Sequence, residues 1–262
     1  MRKLVSLVSL LGLAAAASTT LAAAPVSAAG TPDIGFKVPA HAHANKPTKV
    51  HWHASGVGHK TVVLQGYNGN TKIWGTFRHL HGSKGKTKIP AEPIGIYDFR
   101  IAVFDHAGKL ITAKGHKLHV FGKVKWKTLF KSPLADGGNY DGRFPYVFRF
   151  FSNDVDYTAL KVTDNPCTSV HIRYIPGADP ESPNQSLSGI GTVKIGRHGR
   201  SSVQSQAAAQ QEGKSHAALT LGKTWSINVS EDGAGSRIYN WYFNGTAVCD
   251  QTRITGFNTN QN

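Results

Sequence analysis

Four histidines near the start of the chain have the residue type and spacing of a metal site. They form two pairs with i, i+2 spacing in the stretch HAHANKPTKVHWH, namely His41 with His43 and His51 with His53. Imidazole is the commonest side-chain metal ligand, and residues two apart on a strand share one face. If the two pairs lie on neighbouring antiparallel strands, about 4.8 Å apart, their imidazoles could converge on Zn²⁺ or Cu²⁺.

Two other interpretations of these histidines stay open. In TKVHWHA the alternation places Val50 and Trp52 toward a core and leaves His51 and His53 toward solvent. They would then be the polar face of an ordinary strand. Alternatively, they supply a positive charge that grows in acid, because an unperturbed imidazole titrates at about pH 6.5.

Aromatic residues near the end of the chain are the second candidate site. In RIYNWYFNG, Tyr239, Trp241 and Phe243 share one face, and Tyr242 lies on the other. A strand that is apolar on both faces is either buried on both sides or offers one aromatic face to a ligand. We expect the first three residues to be core, and we predict Tyr242 with Trp225 as a candidate sugar-stacking platform.

Catalytic motifs are not visible in the sequence. It contains no GxSxG, HExxH, CxxC, Walker or Rossmann pattern. Paired carboxylates could serve glycoside hydrolysis, and Asp154 with Asp156 could hold structural calcium. However, the acidic clusters lie beside Asn or Gly, where turn chemistry accounts for them. We therefore predict no catalytic residue and no cofactor.

The chain begins with the features of a secretory signal peptide. Arg2 and Lys3 form a basic start, an apolar run follows, and Val26-Ser27-Ala28 is a small-residue cleavage pattern. We predict a signal peptide over residues 1–28, cleavage after Ala28 and release outside the cell. No later segment has the roughly 20 apolar residues of a membrane span.

The two cysteines, Cys167 and Cys249, fit an exported protein. An even pair in an oxidising compartment most simply forms one disulfide. The bond would close a long loop of the unfolded chain and stabilise the fold by roughly 4.5 kcal/mol in the chain-entropy model.

Positive charge is concentrated in the first part of the mature chain. Residues 31–122 contain 13 Lys and Arg against 4 Asp and Glu, while residues 123–262 contain 15 against 11. Such a charge favours polyanions such as wall teichoic acid, acidic polysaccharide, extracellular DNA or anionic lipid, or it serves solubility alone. The aromatic-basic interleaving of an oligonucleotide groove is not visible, which argues against specific nucleic-acid binding.

The elements that must position these residues are short strands. Alternating runs separated by Gly, Asn, Asp and Pro recur along the whole mature chain, which is typical of all-β sandwiches. About eight runs precede residue 123, and about eight follow residue 145. The sequence predicts an immunoglobulin-like sandwich over residues 34–122, a linker or docking segment over 123–145, and a disulfide-closed, jelly-roll-like sandwich over 146–262.

Two resemblances accompany this architecture. VHWHASGVGHKTVVLQ followed by PIGIYDFRIAVFDHAGKL resembles the Ig-like modules of secreted actinobacterial proteins, which implies a fold but no function. The TWSINV run, the terminal FNGTAVC and the strand count of the second half resemble galactose-binding-like sandwiches that accompany glycosidases. The second half also resembles a further module of such secreted proteins, one to which no activity is assigned.

These observations predict a secreted, non-catalytic protein that binds cell-wall polymer, polysaccharide or another extracellular polyanion. Two alternatives remain. One is a structural or protein-interaction protein of the envelope, and the other is a glycan-active enzyme whose site the sequence does not reveal.

Overall fold

The computed structural model describes residues 30–130, 146–152, 157–177, 190–197, 200–208, 212–218, 223–232 and 237–259. The predicted signal peptide, the acidic pair Asp154 and Asp156 and most of the predicted linker lie outside the described residues, as does the side chain of Tyr239.

The first part of the described chain consists of strands joined by short turns. Strand β3 shows why, because its residues alternate between buried and exposed over their whole length, the pattern of a strand with one wet face. The strands are β1 (Asp33–Lys37), β2 (Ala42–His43), β3 (Thr48–Ser55), β4 (Thr61–Asn68), β5 (Ile73–Leu80), β6 (Lys84–Ile89), β7 (Gly95–Phe104) and β8 (Leu110–Lys125).

These strands form an Ig-like sandwich of two sheets. The first sheet has the order β1-β3-β6, and the second contains β5-β4-β7-β8, with antiparallel pairing in both. Between them lies a core that includes Trp52, Leu64, Phe99, Ile101 and Leu118. Full burial of each such side chain contributes about 1.5–3 kcal/mol, so this core holds the two sheets face to face.

The second part of the chain is again almost entirely strand. After the short helix α1 (Trp126–Leu129) come β9 (Tyr146–Ser152), β10 (Tyr157–Val162), β11 (Cys167–Gly177), β12 (Ile190–Arg197), β13 (Arg200–Ala208), β14 (Gly213–Ala218), β15 (Trp225–Asp232), β16 (Arg237–Cys249) and β17 (Phe257–Thr259).

These later strands form the predicted jelly-roll-like sandwich. One sheet has the order β13-β12-β15-β10-β17, and the facing sheet contains β14-β11-β16. The core between them includes Trp225, Trp241 and Phe243, so the prediction that Trp241 and Phe243 are core residues is confirmed. The disulfide prediction is also confirmed, because Cys167 and Cys249 face each other across β11 and β16 and are bonded.

One long strand belongs to both sandwiches. Leu110 and Thr112–Val120 of β8 pair with β7, and Gly122–Lys125 pair with the end of β16. The second sheet of the first sandwich therefore continues, through β8, into one sheet of the second. Directly after β8, Trp126, Leu129 and Phe130 are buried in the second core.

Candidate functional site

The structure separates the two histidine pairs that could have formed a metal site. Strand β2, which carries His43, pairs in parallel with β8, and the His41 ring packs on Phe121 at 4.8 Å between centroids. Strand β3, which carries His51 and His53, pairs with β1 and β6 instead. The antiparallel pairing needed for a shared face is absent, and within the described ranges no group of three His, Cys, Asp or Glu is placed to hold a metal.

The predicted aromatic platform is also not exposed. Trp225 is 1% exposed and lies in the second core, and Tyr242 is 6% exposed. A ring must present a free face to stack on a sugar, so these two residues do not form a stacking surface in this structure. The run around Tyr242 is apolar on both faces because both faces are buried here: Trp241 and Phe243 are fully buried on one face, and Tyr242 is buried on the other.

A third set of residues forms a charged surface on the first sandwich. Alternation sends the polar residues of β1, β3 and β6 to the outer side of their sheet. We call this surface the basic face. Its exposed members are Lys37 on β1, Lys49, His51 and His53 on β3, and Lys84, Lys86 and Lys88 on β6.

Strand register arranges these side chains in rows. Lys37 lies opposite His51, which in turn lies opposite Lys86. On either side of this row, Lys49 lies opposite Lys88, and His53 lies opposite Lys84. Neighbours across the sheet are about 4.8 Å apart, and successive residues on one face of a strand are about 6.8 Å apart.

The basic face is concave at two adjoining places. A depression of about 460 Å³ is lined by Lys49, His51, Arg78, Lys86, Thr87 and Lys88. A second, of about 340 Å³, is lined by Lys37, Val38, Pro39, Lys49 and His51. Because both are lined by Lys49 and His51, the two depressions adjoin, and lysines line both of them.

Negative charge is almost absent from this surface. The three strands contain a single acidic residue, Asp33, at the start of β1. Its carboxylate lies 3.4 Å from His53 Nε2. Like charges directly opposite each other on a sheet destabilise it, so the pair Lys49 and Lys88 lowers the stability of the sandwich. An unfavourable pair of lysines within a surface of one charge sign is consistent with a surface kept for binding.

Sequence reasoning identified the histidines of this face and the net charge but missed the lysines as site residues. The signal was present in TKVHWHAS and KGKTKI, where Lys or His occupies every second position. What the sequence did not contain was the pairing of β3 with β6, which places the two runs side by side.

A smaller group of titratable residues lies on the outer side of the second sandwich. His171 and His216 are cross-strand partners with ring centroids 4.2 Å apart. Burial, His216 and Lys123, in that order, hold the pKa of His171 below its ordinary value. The lowered pKa keeps His171 neutral near pH 7, so this residue adds no positive charge to that of Lys123.

Comparisons with known proteins give no family. No family model matches the chain, and no curated protein matches it in sequence. Among solved structures, it is similar to tripeptidyl peptidase 2, with 10% identity and a TM-score of 0.28, over 85% of this chain and 20% of that one.

Two further solved structures show similarity at the same level. The CBM51-2 and INT domains of Clostridium perfringens ZmpB have 12% identity and a TM-score of 0.32, over 59% of this chain and 37% of that one. A SusE-like protein has 10% identity and a TM-score of 0.21, over 80% of this chain and 97% of that one. Similarity this low transfers no functional property, and the resemblance to secreted actinobacterial Ig-like modules stays a prediction.

Among the described residues, the search for a membrane span found no helix of sufficient length and apolar character.

Proposed function

We propose that this chain is a secreted, non-catalytic binding protein whose basic face attaches it to a linear extracellular polyanion, such as a cell-wall polymer or an acidic polysaccharide. The observation that carries the proposal is the alignment of Lys and His side chains from three adjacent strands on one face. The disulfide between Cys167 and Cys249 supports an extracytoplasmic location, because such bonds persist in oxidising compartments.

Edge protection does not account for the basic face. Lysines on edge strands commonly block edge-to-edge aggregation, and Lys37 on β1 and Lys86 on β6 would serve that purpose. Strand β3, however, is the centre of its sheet and is hydrogen-bonded on both sides. Its exposed Lys49, His51 and His53 protect no edge, and they complete the rows across the sheet.

The geometry of the rows suits a polymer better than a small anion. The two adjoining depressions are open to solvent and have lysines from three neighbouring strands around them, so several cations can contact successive charges of one chain. A linear polyanion bound there releases its condensed counterions as each lysine neutralises one charge. This gives affinity that falls steeply with salt and depends little on the chemistry between the charges.

The histidines make the charge of this face dependent on pH. His51 is flanked by Lys37 and Lys86, and His53 by Asp33 and Lys84. In mildly acidic solution imidazole gains a positive charge, and a bound polyanion favours that protonation. Binding at this face is therefore coupled to proton uptake.

The proposal is tested by cosedimentation of the mature chain with purified Gram-positive walls, before and after chemical removal of their anionic polymers. The site variant carries Lys49→Gln, Lys86→Gln and Lys88→Gln. The control variant, with the same change of net charge, carries Lys46→Gln, Lys109→Gln and Lys114→Gln, three exposed lysines of the same sandwich outside the face.

We expect the native chain to bind intact walls and to lose binding when the polymers are stripped. The site variant should lose roughly tenfold or more in affinity, and its dependence of log K on log salt should be shallower by about two to three units. The control should lose little. Equal losses in both variants would show a response to net charge alone and would contradict a site, and unchanged binding to stripped walls would exclude the polyanion as ligand.

A further inference from the structure

The outer face of the opposite sheet in the first sandwich carries a depression of different chemistry. It has a volume of about 280 Å³ and is lined by Trp74, Asp98, Phe99, Gly115, His116 and Lys117, from β5, β7 and β8. We call it the indole site. It lies on the second sheet, whereas the basic face belongs to the first sheet.

Trp74 is held in place on this face by its neighbours. It lies opposite Tyr67 in the register of β4 and β5, with ring centroids 5.3 Å apart. The guanidinium of Arg100 lies over the indole ring, 4.2 Å from its centroid. Contacts of this kind fix the orientation of the ring, while Trp74 remains partly exposed.

Arg100 is in turn fixed by a short hydrogen-bond chain. Its Nε donates to Gln65 Oε1 at 2.8 Å, and Gln65 Nε2 donates to Thr76 Oγ1 at 3.1 Å. Gln65 is a buried polar side chain, so this chain satisfies it and makes the arrangement rigid. A preorganised aromatic ring binds a ligand with less loss of side-chain entropy than a mobile ring.

Two polar groups at the site are uncommitted. Asp98 and Lys117 lie directly opposite each other in the register of β7 and β8. In the described part of the chain their side chains form no hydrogen bond or ion pair. They offer a carboxylate acceptor and an ammonium donor beside the indole, with opposite charges that balance.

Gly115 leaves space at the site for a ligand. A Cβ at this position would be 3.6 Å from the carbonyl oxygen of Phe99, an ordinary van der Waals distance, and no other atom lies within 4 Å. The backbone does not need glycine here, and an exposed strand position usually favours a β-branched residue. The absence of a side chain is therefore a property of the depression and not of the fold.

We propose that the indole site binds one neutral hexopyranose unit of a glycan. A pyranose ring has an apolar face of C–H groups and a rim of hydroxyl groups that donate and accept hydrogen bonds. The part of the indole that Arg100 and Tyr67 leave exposed supplies the apolar surface, and Asp98 and Lys117 supply one acceptor and one donor in the same depression. A volume of about 280 Å³ is at the small end of ligand sites, which suits one sugar and its linkage.

This site is independent of the polyanion site. Stacking and hydrogen bonds to hydroxyl groups persist at salt concentrations that screen exposed charges. The two faces of one sandwich would then hold two features of the same extracellular matrix, a charged polymer and an uncharged sugar chain. Failure of either proposal leaves the other standing.

Tryptophan fluorescence reports on this site selectively. The chain has five tryptophans. Trp52, Trp126, Trp225 and Trp241 are at most 5% exposed, so a soluble saccharide reaches Trp74 first. The probes are cellotetraose, mannotetraose and the tetramer of N-acetylglucosamine, titrated into the full mature chain at about 0.5 M NaCl, where exposed charges are screened beyond roughly 4–5 Å.

We expect a saturable fluorescence change with at least one of these neutral tetramers at concentrations up to about 10 mM, the range of weak single-site binding. Binding measured by calorimetry should fall at least tenfold in Trp74→Ala and in Gly115→Val, which adds a side chain to the depression where a Cβ has ordinary van der Waals room. Leu110→Ala, which shortens an exposed apolar residue at the start of β8, is the matched control and should bind normally.

Three results would overturn the inference: no binding of any of the three tetramers, equal binding by Gly115→Val and the native chain, or affinity that declines with salt as strongly as that of the basic face. The thermal unfolding midpoints of Gly115→Val and Leu110→Ala should stay close to that of the native chain. This separates loss of the site from loss of the fold.

Discussion

The two outer faces of the first sandwich are both β-sheet surfaces, but their side chains differ in chemistry. On the first sheet, every outward position of β3 carries Lys, His or Ser, and the rows continue onto β1 and β6. On the second sheet, an indole, a carboxylate, an ammonium and a glycine surround one shallow depression. The outer faces of the two sheets therefore differ in charge and in shape, although the two sheets share one apolar core.

The difference also separates what each face can recognise. The basic face has repetition without enclosure, so it favours a repeating ligand of one charge sign. The indole site combines a partly exposed aromatic ring with one carboxylate and one ammonium group, so it favours a single unit with an apolar surface and hydroxyl groups. The following predictions test this contrast in order of decreasing effect.

Exposed and buried tryptophans should respond very differently to truncation. We expect Trp225→Ala to destabilise the protein by about 3–5 kcal/mol, because the side chain is in the second core. Trp74→Ala should cost less than about 1 kcal/mol, since the ring is partly exposed. Chemical denaturation with far-UV circular dichroism measures both. A large loss of stability in Trp74→Ala would show that this residue has a structural role and would argue against the indole site.

Acid should strengthen only the basic face. Between about pH 7.5 and pH 5.5 at fixed salt, we expect binding to walls to tighten severalfold, because acid adds positive charge to imidazole side chains in general. In His51→Gln with His53→Gln the increase should be lost, whereas His59→Gln with His106→Gln, a pair of exposed histidines elsewhere, should retain it. Saccharide binding at the indole site should not follow the same pH dependence. An equal increase of wall binding in acid in both double variants would show that the histidines of β3 do not cause the pH dependence.

Removal of one lysine from a facing pair should stabilise the sandwich. Lys49 and Lys88 are directly opposite, so Lys88→Thr relieves repulsion and adds a residue that favours strands. We expect a gain of about 0.5 kcal/mol, or roughly 1–2 °C in the unfolding midpoint, together with weaker polyanion binding. Lys114→Thr serves as control. A loss of stability in Lys88→Thr would contradict the expectation that repulsion between Lys49 and Lys88 destabilises the sandwich.

The smallest effect concerns the histidine pair of the second sandwich. Because burial, His216 and Lys123 lower the pKa of His171 in the folded protein, the unfolded chain takes up the proton first as pH falls below 6.5. Stability is therefore full above that value and declines in acid. His216→Gln should reduce the decline in unfolding midpoint between pH 7.5 and 5.5 by about 1 °C. An unchanged decline would show that the two rings do not interact energetically.

Much of the fold follows from the sequence, because strands with one wet face alternate visibly. The all-β class, the two sandwiches and the disulfide are confirmed. The boundaries of the predicted domains stay predictions. A strand that is buried on both sides appears in the sequence as an unbroken apolar run. A strand with one exposed aromatic face gives the same run, so the sequence alone does not distinguish a buried Tyr242 from an exposed one.

The sites were harder to predict because each depends on which strands become neighbours. His43 and His51 are close in sequence, but β2 pairs with β8 and β3 pairs with β1 and β6. Conversely, Trp74, Asp98 and Gly115 are far apart in sequence and line one depression. Local patterns give the face on which a residue lies, whereas pairing order gives its neighbours, and binding chemistry depends on the neighbours.

The long strand β8 has a mechanical consequence. Its 16 residues extend about 53 Å and are hydrogen-bonded to one sandwich at the start and to the other at the end. When one sandwich is anchored to a surface and the other is pulled by flow, the load passes along this strand. Such a load must shear rows of backbone hydrogen bonds before the chain can lengthen, so β8 would act as a stiff tether between the anchored and the loaded sandwich.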